Sequence, residues 1–220
     1  MDFYKVILVN GFSKNNKKFD FLKNHLTSLG FNAELLEVPL FFNDVSFTEN
    51  ALEKKLNDII KINEAENTAS ELVLIGFGLG GAIIKKVLHD KKISNLFIKV
   101  ILIATPCRRS KISKKLSPVI RLLSKVFKPL KLLRNNKYLS LPLPKDISIG
   151  IIRGVEPSYK FFQKLINEPN DGIFQTNEVT LKGKNIEILD IPFGRVELLR
   201  RRGTAEYIVD FIETGRFKFD

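Results

Sequence analysis

Leu72-Val73-Leu74-Ile75-Gly76-Phe77-Gly78-Leu79-Gly80-Gly81-Ala82-Ile83-Ile84-Lys85-Lys86-Val87-Leu88 joins an apolar run to a helical one through a glycine-rich turn. The first run is short and wholly aliphatic, as a strand buried on both faces requires, while the second has helical length. The stretch therefore reads as strand, tight turn and helix.

Two known motifs compete for that turn. Read as G-x-G-x-x-G through Gly76, Gly78 and Gly81, it would cradle a dinucleotide pyrophosphate at the helix N-terminus. That motif expects an acidic residue about 20 positions on, at the end of the next strand. The next strand ends Ile103-Ala104-Thr105-Pro106, with no acid, so no nucleotide cofactor is expected. Read as the nucleophile elbow G-x-S-x-G, the turn is Gly76-Phe77-Gly78-Leu79-Gly80, its glycine frame complete and Gly78 at the serine position.

Outward from the turn, strands and helices alternate. Tyr4 to Asn10 reads as a buried strand, followed by a helix with the stripe Phe19, Leu22, Leu26 and Leu29, which Gly30 ends. Ala33 to Val38 is a second strand stopped by Pro39, and Leu52, Leu56, Ile59 and Ile60 mark a helix entered through a Ser46/Glu49 capping box. Glu71 to Ile75, a helix from about Gly80 to His89, and Ile98 to Ala104 continue the rhythm. Ile147 to Arg153, Ile186 to Ile191 and a helix from about Thr204 to Ile212 complete it. The expected fold class is α/β, a mostly parallel sheet of about six strands with helices on both faces.

At 220 residues the chain fits one domain, 1–220. No apolar run approaches the ~18 residues of a membrane span. Met1-Asp2-Phe3-Tyr4-Lys5 leads straight into a strand without the pattern of a secretory signal, and Cys107 is the only cysteine. A cytoplasmic, reduced setting is the expectation. No metal site is legible, Asp44, Glu49 and Asp171 making no ligand pattern. His25 and His89, the only histidines, read as structural.

Four further segments resemble the small bacterial α/β-hydrolases of lipase and esterase type. Val9-Asn10-Gly11-Phe12 is similar to that family's VHGF, and Leu102-Ile103-Ala104-Thr105-Pro106 followed by Ser110 is similar to LGTPxxGS. Pro169-Asn170-Asp171-Gly172 resembles the acid loop PNDG. Ile191-Pro192-Phe193-Gly194-Arg195-Val196-Glu197-Leu198-Leu199 resembles VPxxHxxLL, the histidine loop. The resemblance implies an α/β-hydrolase fold whose triad positions are Gly78, Asp171 and Arg195, with only the acid kept. It also implies an oxyanion-hole-like pair in the Phe12 and Leu79 amides.

Ser–His–Asp chemistry needs a hydroxyl to attack and an imidazole to take its proton. Glycine has no side chain, and arginine stays protonated near neutrality. The sequence thus implies a degenerate triad and a protein that binds rather than hydrolyses. The alternative is a carboxylic ester or lipid hydrolase working through other residues, Ser13 and Ser110 being nearest by the resemblance. Asp171 beside Arg195 reads most simply as a salt bridge replacing the Asp–His pair.

The net charge of +12 is unevenly placed: Lys91 to Lys145 contains 15 Lys and Arg and no Asp or Glu. The difference leaves −3 for the rest of the chain. Within it, a basic lid-like insertion spans about 107–140. Ile112, Leu116, Ile120, Leu123, Phe127 and Leu130 recur at helical spacing there, broken by Pro118 and Pro129. Arg108, Arg109, Lys111, Lys114, Lys115, Arg121, Lys125 and Lys128 would meet an anionic partner: an anionic lipid or membrane surface, or an acidic protein. Nucleic acid is less favoured because only Phe127 interleaves the basic residues. Peripheral membrane placement would follow.

Overall fold

The central apolar runs are strands because each is walled in from both sides. In the computed structural model, which describes residues 4–11, 17–36, 45–67, 71–90, 98–108, 132–133, 135–157 and 169–218, they form one sheet. Its strands are β1 (Tyr4–Asn10), β2 (Asn32–Leu35), β3 (Glu71–Phe77), β4 (Ile98–Ile103), β5 (Ser148–Gly154) and β6 (Ile186–Ile191). Their order is β2-β1-β3-β4-β5-β6, and every pairing is parallel.

Alternate side chains of each strand supply two cores. Ile7, Leu72, Leu74, Val100, Leu102 and Ile151 face α2 (Val45–Glu66) and α3 (Leu79–Asp90). Val6, Leu8, Val73, Ile75, Ile101 and Ile103 face α1 (Lys17–Ser28) and, near the far edge, α5 (Arg202–Thr214). Burying one such side chain stabilises by about 1.5–3 kcal/mol, so the sheet interior dominates the stability of the fold. A short helix, α4 (Asn136–Leu139), packs Leu139 into the first core; Asn135 caps it by accepting from the Tyr138 N–H.

The topology fixes where a site can form. From β1 the chain crosses through α1 to β2 on one side, then returns through α2 to β3 on the other. Ligands of open α/β sheets bind outside the carboxyl ends of the strands at such a reversal. Here that point lies between the ends of β1 and β3, at Gly11 and Gly78.

Several local expectations are corrected. Leu29 lies one residue beyond α1 and is 43 % exposed; its N–H still donates to the His25 carbonyl, and Gly30, at φ 87°, turns the chain after it. The Ser46/Glu49 capping box is absent: α2 begins at Val45, itself buried, so Ser46 is inside the helix. Glu49 instead accepts from the Tyr138 hydroxyl at 2.6 Å, linking α2 to α4. β4 stops at Ile103, since Ala104 adopts φ 46°, although its N–H still donates to the Ile152 carbonyl of β5 at 2.9 Å. β3 runs on to Phe77, β5 is shifted by one residue, and β2 ends at Leu35. The stripe from Ile112 to Leu130 lies outside the described residues.

Candidate functional site

Gly78 follows β3 at φ 58°, the left-handed region that glycine enters freely, and its N–H donates to the Ile103 carbonyl at 3.0 Å. Its glycine neighbours are there because backbone meets backbone. A Cβ on Gly76 would stand 2.4 Å from the Gly81 Cα, and one on Gly80 would stand 2.1 Å from the Val9 carbonyl oxygen. One on Gly11 would come within 2.2 Å of the Leu79 nitrogen. β1, β3 and α3 thus converge at contact distances that no larger residue allows. Gly81 admits Thr105, whose hydroxyl donates to the Gly76 carbonyl at 3.3 Å.

The loop carrying Asp171 builds itself from its own side chains. Asn170 Oδ1 accepts from the Gly172 N–H at 2.9 Å, and Asp171 Oδ1 accepts from the Ile173 and Phe174 N–H groups, each at 2.8 Å. Gly172 completes the turn at φ 99°. These bonds leave Asp171 Oδ2 facing inward on a residue only 4 % exposed.

Arg195 comes to that oxygen from the loop after β6. Its Nη1 donates to Asp171 Oδ2 at 3.0 Å and to the Ala104 carbonyl at 2.5 Å, and its backbone N–H donates to the Asp171 carbonyl at 2.9 Å. The guanidinium lies over the Phe77 ring at 4.7 Å and the Phe174 ring at 5.1 Å. The other nitrogen reaches Gly78: a Cβ built on Gly78 would fall 2.1 Å from Arg195 Nη2. The space above the turn, where a side chain at position 78 would project, is filled by arginine.

A second buried cation supports the site from below. Lys85, fully buried on α3, donates to the Leu139 carbonyl and, at 3.5 Å, to that of Pro106. It therefore ties α4 and the exit of β4 to the helix that follows Gly78. Burial lowers the Lys85 ammonium below its ordinary 10.5 and raises the neighbouring Cys107 thiol, each partly opposing the other's shift. Because the unfolded chain holds that lysine proton at higher pH than the folded one, stability contributed at Lys85 rises with pH. It rises from the lowered folded value up to 10.5. In urea unfolding, the wild-type chain is expected to gain on Lys85→Met as pH rises toward 10, by up to about 1.4 kcal/mol per pH unit. A difference that stays flat or narrows would refute this.

Of the residues expected from sequence, Gly78, Leu79, Asp171 and Arg195 are brought together, with Leu79 opening α3. Arg108 is exposed just beyond β4. Phe12, Ser13, Arg109, Ser110, Lys111, Lys114, Lys115, Arg121, Lys125 and Lys128 lie outside the described residues. His25 stacks on Phe21 along α1, and His89 is exposed near the end of α3. Sequence reasoning missed Lys85, the Phe77 and Phe174 rings, and the Ala104 carbonyl. Lys85 carried a signal, since it falls four positions after Gly81 on the inward face of α3.

Several solved structures share this layout. A soluble variant of monoglyceride lipase from Saccharomyces cerevisiae superposes with a TM-score of 0.70 at 14 % identity, over 100 % of this chain and 89 % of the other. The mature form of a Bacillus licheniformis lipase gives 0.69 at 13 % identity, over 96 % and 91 %. A lipase-esterase related protein from Clostridium acetobutylicum gives 0.62 at 18 % identity, over 96 % and 95 %. This chain has the α/β-hydrolase fold. No protein-family model and no curated protein matches the sequence. In the α/β-hydrolase fold the nucleophile stands on the strand-to-helix elbow and its partners follow in the order acid, then histidine. Among the described residues no helix is long and apolar enough to cross a membrane.

Proposed function

We propose that this chain is a non-hydrolysing α/β-hydrolase-fold protein in which Gly78, Asp171 and Arg195 stand at the nucleophile, acid and base positions. One observation carries the reading: Arg195 Nη2 lies 2.1 Å from where a Cβ on Gly78 would be. The nucleophile's space is occupied by a group that cannot accept a proton at neutral pH, and that group is locked to the acid. Phe12 and Leu79 would keep the oxyanion-hole amides as a remnant of the older chemistry.

On this reading the protein acts by binding an anionic lipid surface through the basic insertion at about 107–140. The support is the block of 15 cations without an acid between Lys91 and Lys145. Each basic residue held near an anionic surface contributes about 1 kcal/mol, within a Debye length of about 8–10 Å. An acidic protein partner would use the same charge.

Purified protein is expected to leave short-chain p-nitrophenyl esters at the buffer rate, and to float with vesicles only when they contain anionic lipid, releasing in high salt. Ester hydrolysis that co-elutes with the protein through successive columns would sink the non-hydrolysing part. Flotation that is absent, or equal with neutral vesicles, would remove the lipid part.

A further inference from the structure

At the opposite end of the sheet from Gly78, where β5 and β6 begin, a cavity of about 570 Å³ lies over the sheet edge. Small-molecule sites commonly run from about 300 to 1,000 Å³, and strands of this length put it roughly 20 Å from the elbow. Its floor is apolar: Leu143, Ile149, Leu181 and Ile186, all joined to the first core. Its rim is cationic, because Lys145, Lys182 and Lys184 line it and are exposed.

Among the described residues no carboxylate lines the cavity, although Asp146 and Glu187 are sequence neighbours of lining residues. Three lysines thus border an apolar floor with no acidic residue among the described lining residues. The strap that bears two of them is held firmly. Asn185 donates its side-chain amide to the Ile147 carbonyl and accepts the Ile149 N–H at 2.9 Å on its own carbonyl. The lysines stand on backbone tied to the first residues of β5, not on a free loop.

An apolar trough bordered by three exposed lysines is complementary to a molecule with an aliphatic body and one anionic end. We propose that this cavity is a binding site for a single-chain aliphatic carboxylate, its chain along Leu143, Ile149, Leu181 and Ile186 and its carboxylate among Lys145, Lys182 and Lys184. The site is separate from the elbow and does not rest on the loss of hydrolysis proposed above.

The test uses the full chain and a dansyl-labelled undecanoate, displaced by laurate or by dodecanol. Saturable binding is expected, with dodecanol weaker than laurate by about tenfold or more, the loss of one charge-assisted contact. The combined change Lys145→Glu, Lys182→Glu and Lys184→Glu is expected to weaken laurate by at least about tenfold. The three matching Lys→Arg changes should retain it, which separates lost charge from lost folding. A diazirine-bearing fatty acid should leave its adducts on residues 140–149 and 181–186. Absence of saturable binding, equal displacement by dodecanol, or adducts confined to the elbow around Gly78 and Arg195 would each overturn the proposal. Ester hydrolysis by the wild-type chain would not, since it concerns the other end of the sheet.

Discussion

Gly78→Ser combined with Arg195→His is expected to turn this chain into a measurable esterase, while either change alone is not. The single change Gly78→Ser meets Arg195 head-on, since the new Cβ would sit 2.1 Å from Nη2. It also places a side chain at φ 58°, where a residue with a Cβ is strained by about 1–3 kcal/mol. The single change Arg195→His clears the space but leaves nothing there to attack. Together they remove the obstruction, supply the hydroxyl and offer an imidazole to Asp171 Oδ2, which now receives Arg195 Nη1 at 3.0 Å.

The scaffold should accept the pair because the backbone contacts that place the two loops survive the exchange. Asp171 keeps its bonds from Ile173 and Phe174, and the backbone bond from residue 195 to the Asp171 carbonyl remains. A positioned general base is worth about 10²–10⁴ in rate. On p-nitrophenyl acetate the double variant should therefore exceed both single variants by about 10² or more, with strong non-additivity between the two sites. A folded double variant no faster than the singles would show that Gly78 and Arg195 are not the altered halves of one catalytic unit.

How far the sequence disclosed this arrangement depended on the kind of force involved. The strands were legible because a strand buried on both faces must be apolar throughout, as Val6 to Val9 and Val100 to Ile103 are. The Asp171–Arg195 pair was legible as a pairing, since two loops that converge in a familiar motif order bring opposite charges together. The route of the guanidinium was not. Whether it turned toward solvent or over Gly78 depends on Phe77, Phe174 and the Ala104 carbonyl, which come from three different segments. Lys85 and Lys86 look alike in sequence, yet one is fully buried and the other pairs with Asp90 near the surface. Helical phase separates them, and composition does not. The basic segment was legible only as charge.

The largest expected effect on stability comes from breaking the Arg195–Asp171 pair from one side. The Arg195 side chain is 14 % exposed and that of Asp171 2 %, so the carboxylate has no water to fall back on and the guanidinium little. Losing one member of a buried pair strands the other and costs about 3–5 kcal/mol, whereas replacing both by apolar or neutral groups of similar shape is often close to neutral. Arg195→Met should therefore lower the unfolding free energy by about 3–5 kcal/mol, read as a fall in urea midpoint at unchanged slope. Asp171→Asn keeps an acceptor for the Ile173 and Phe174 amides, so its cost falls mainly on the stranded guanidinium, which retains the Ala104 carbonyl. Combining the two changes should cost less than the sum of the two single losses, by an interaction of about 1–3 kcal/mol in the double-mutant cycle. Additive losses would mean that each side chain is held by its own surroundings, the arginine by its two rings and the aspartate by its amides. In that case the pair would no longer account for why an arginine stands above Gly78.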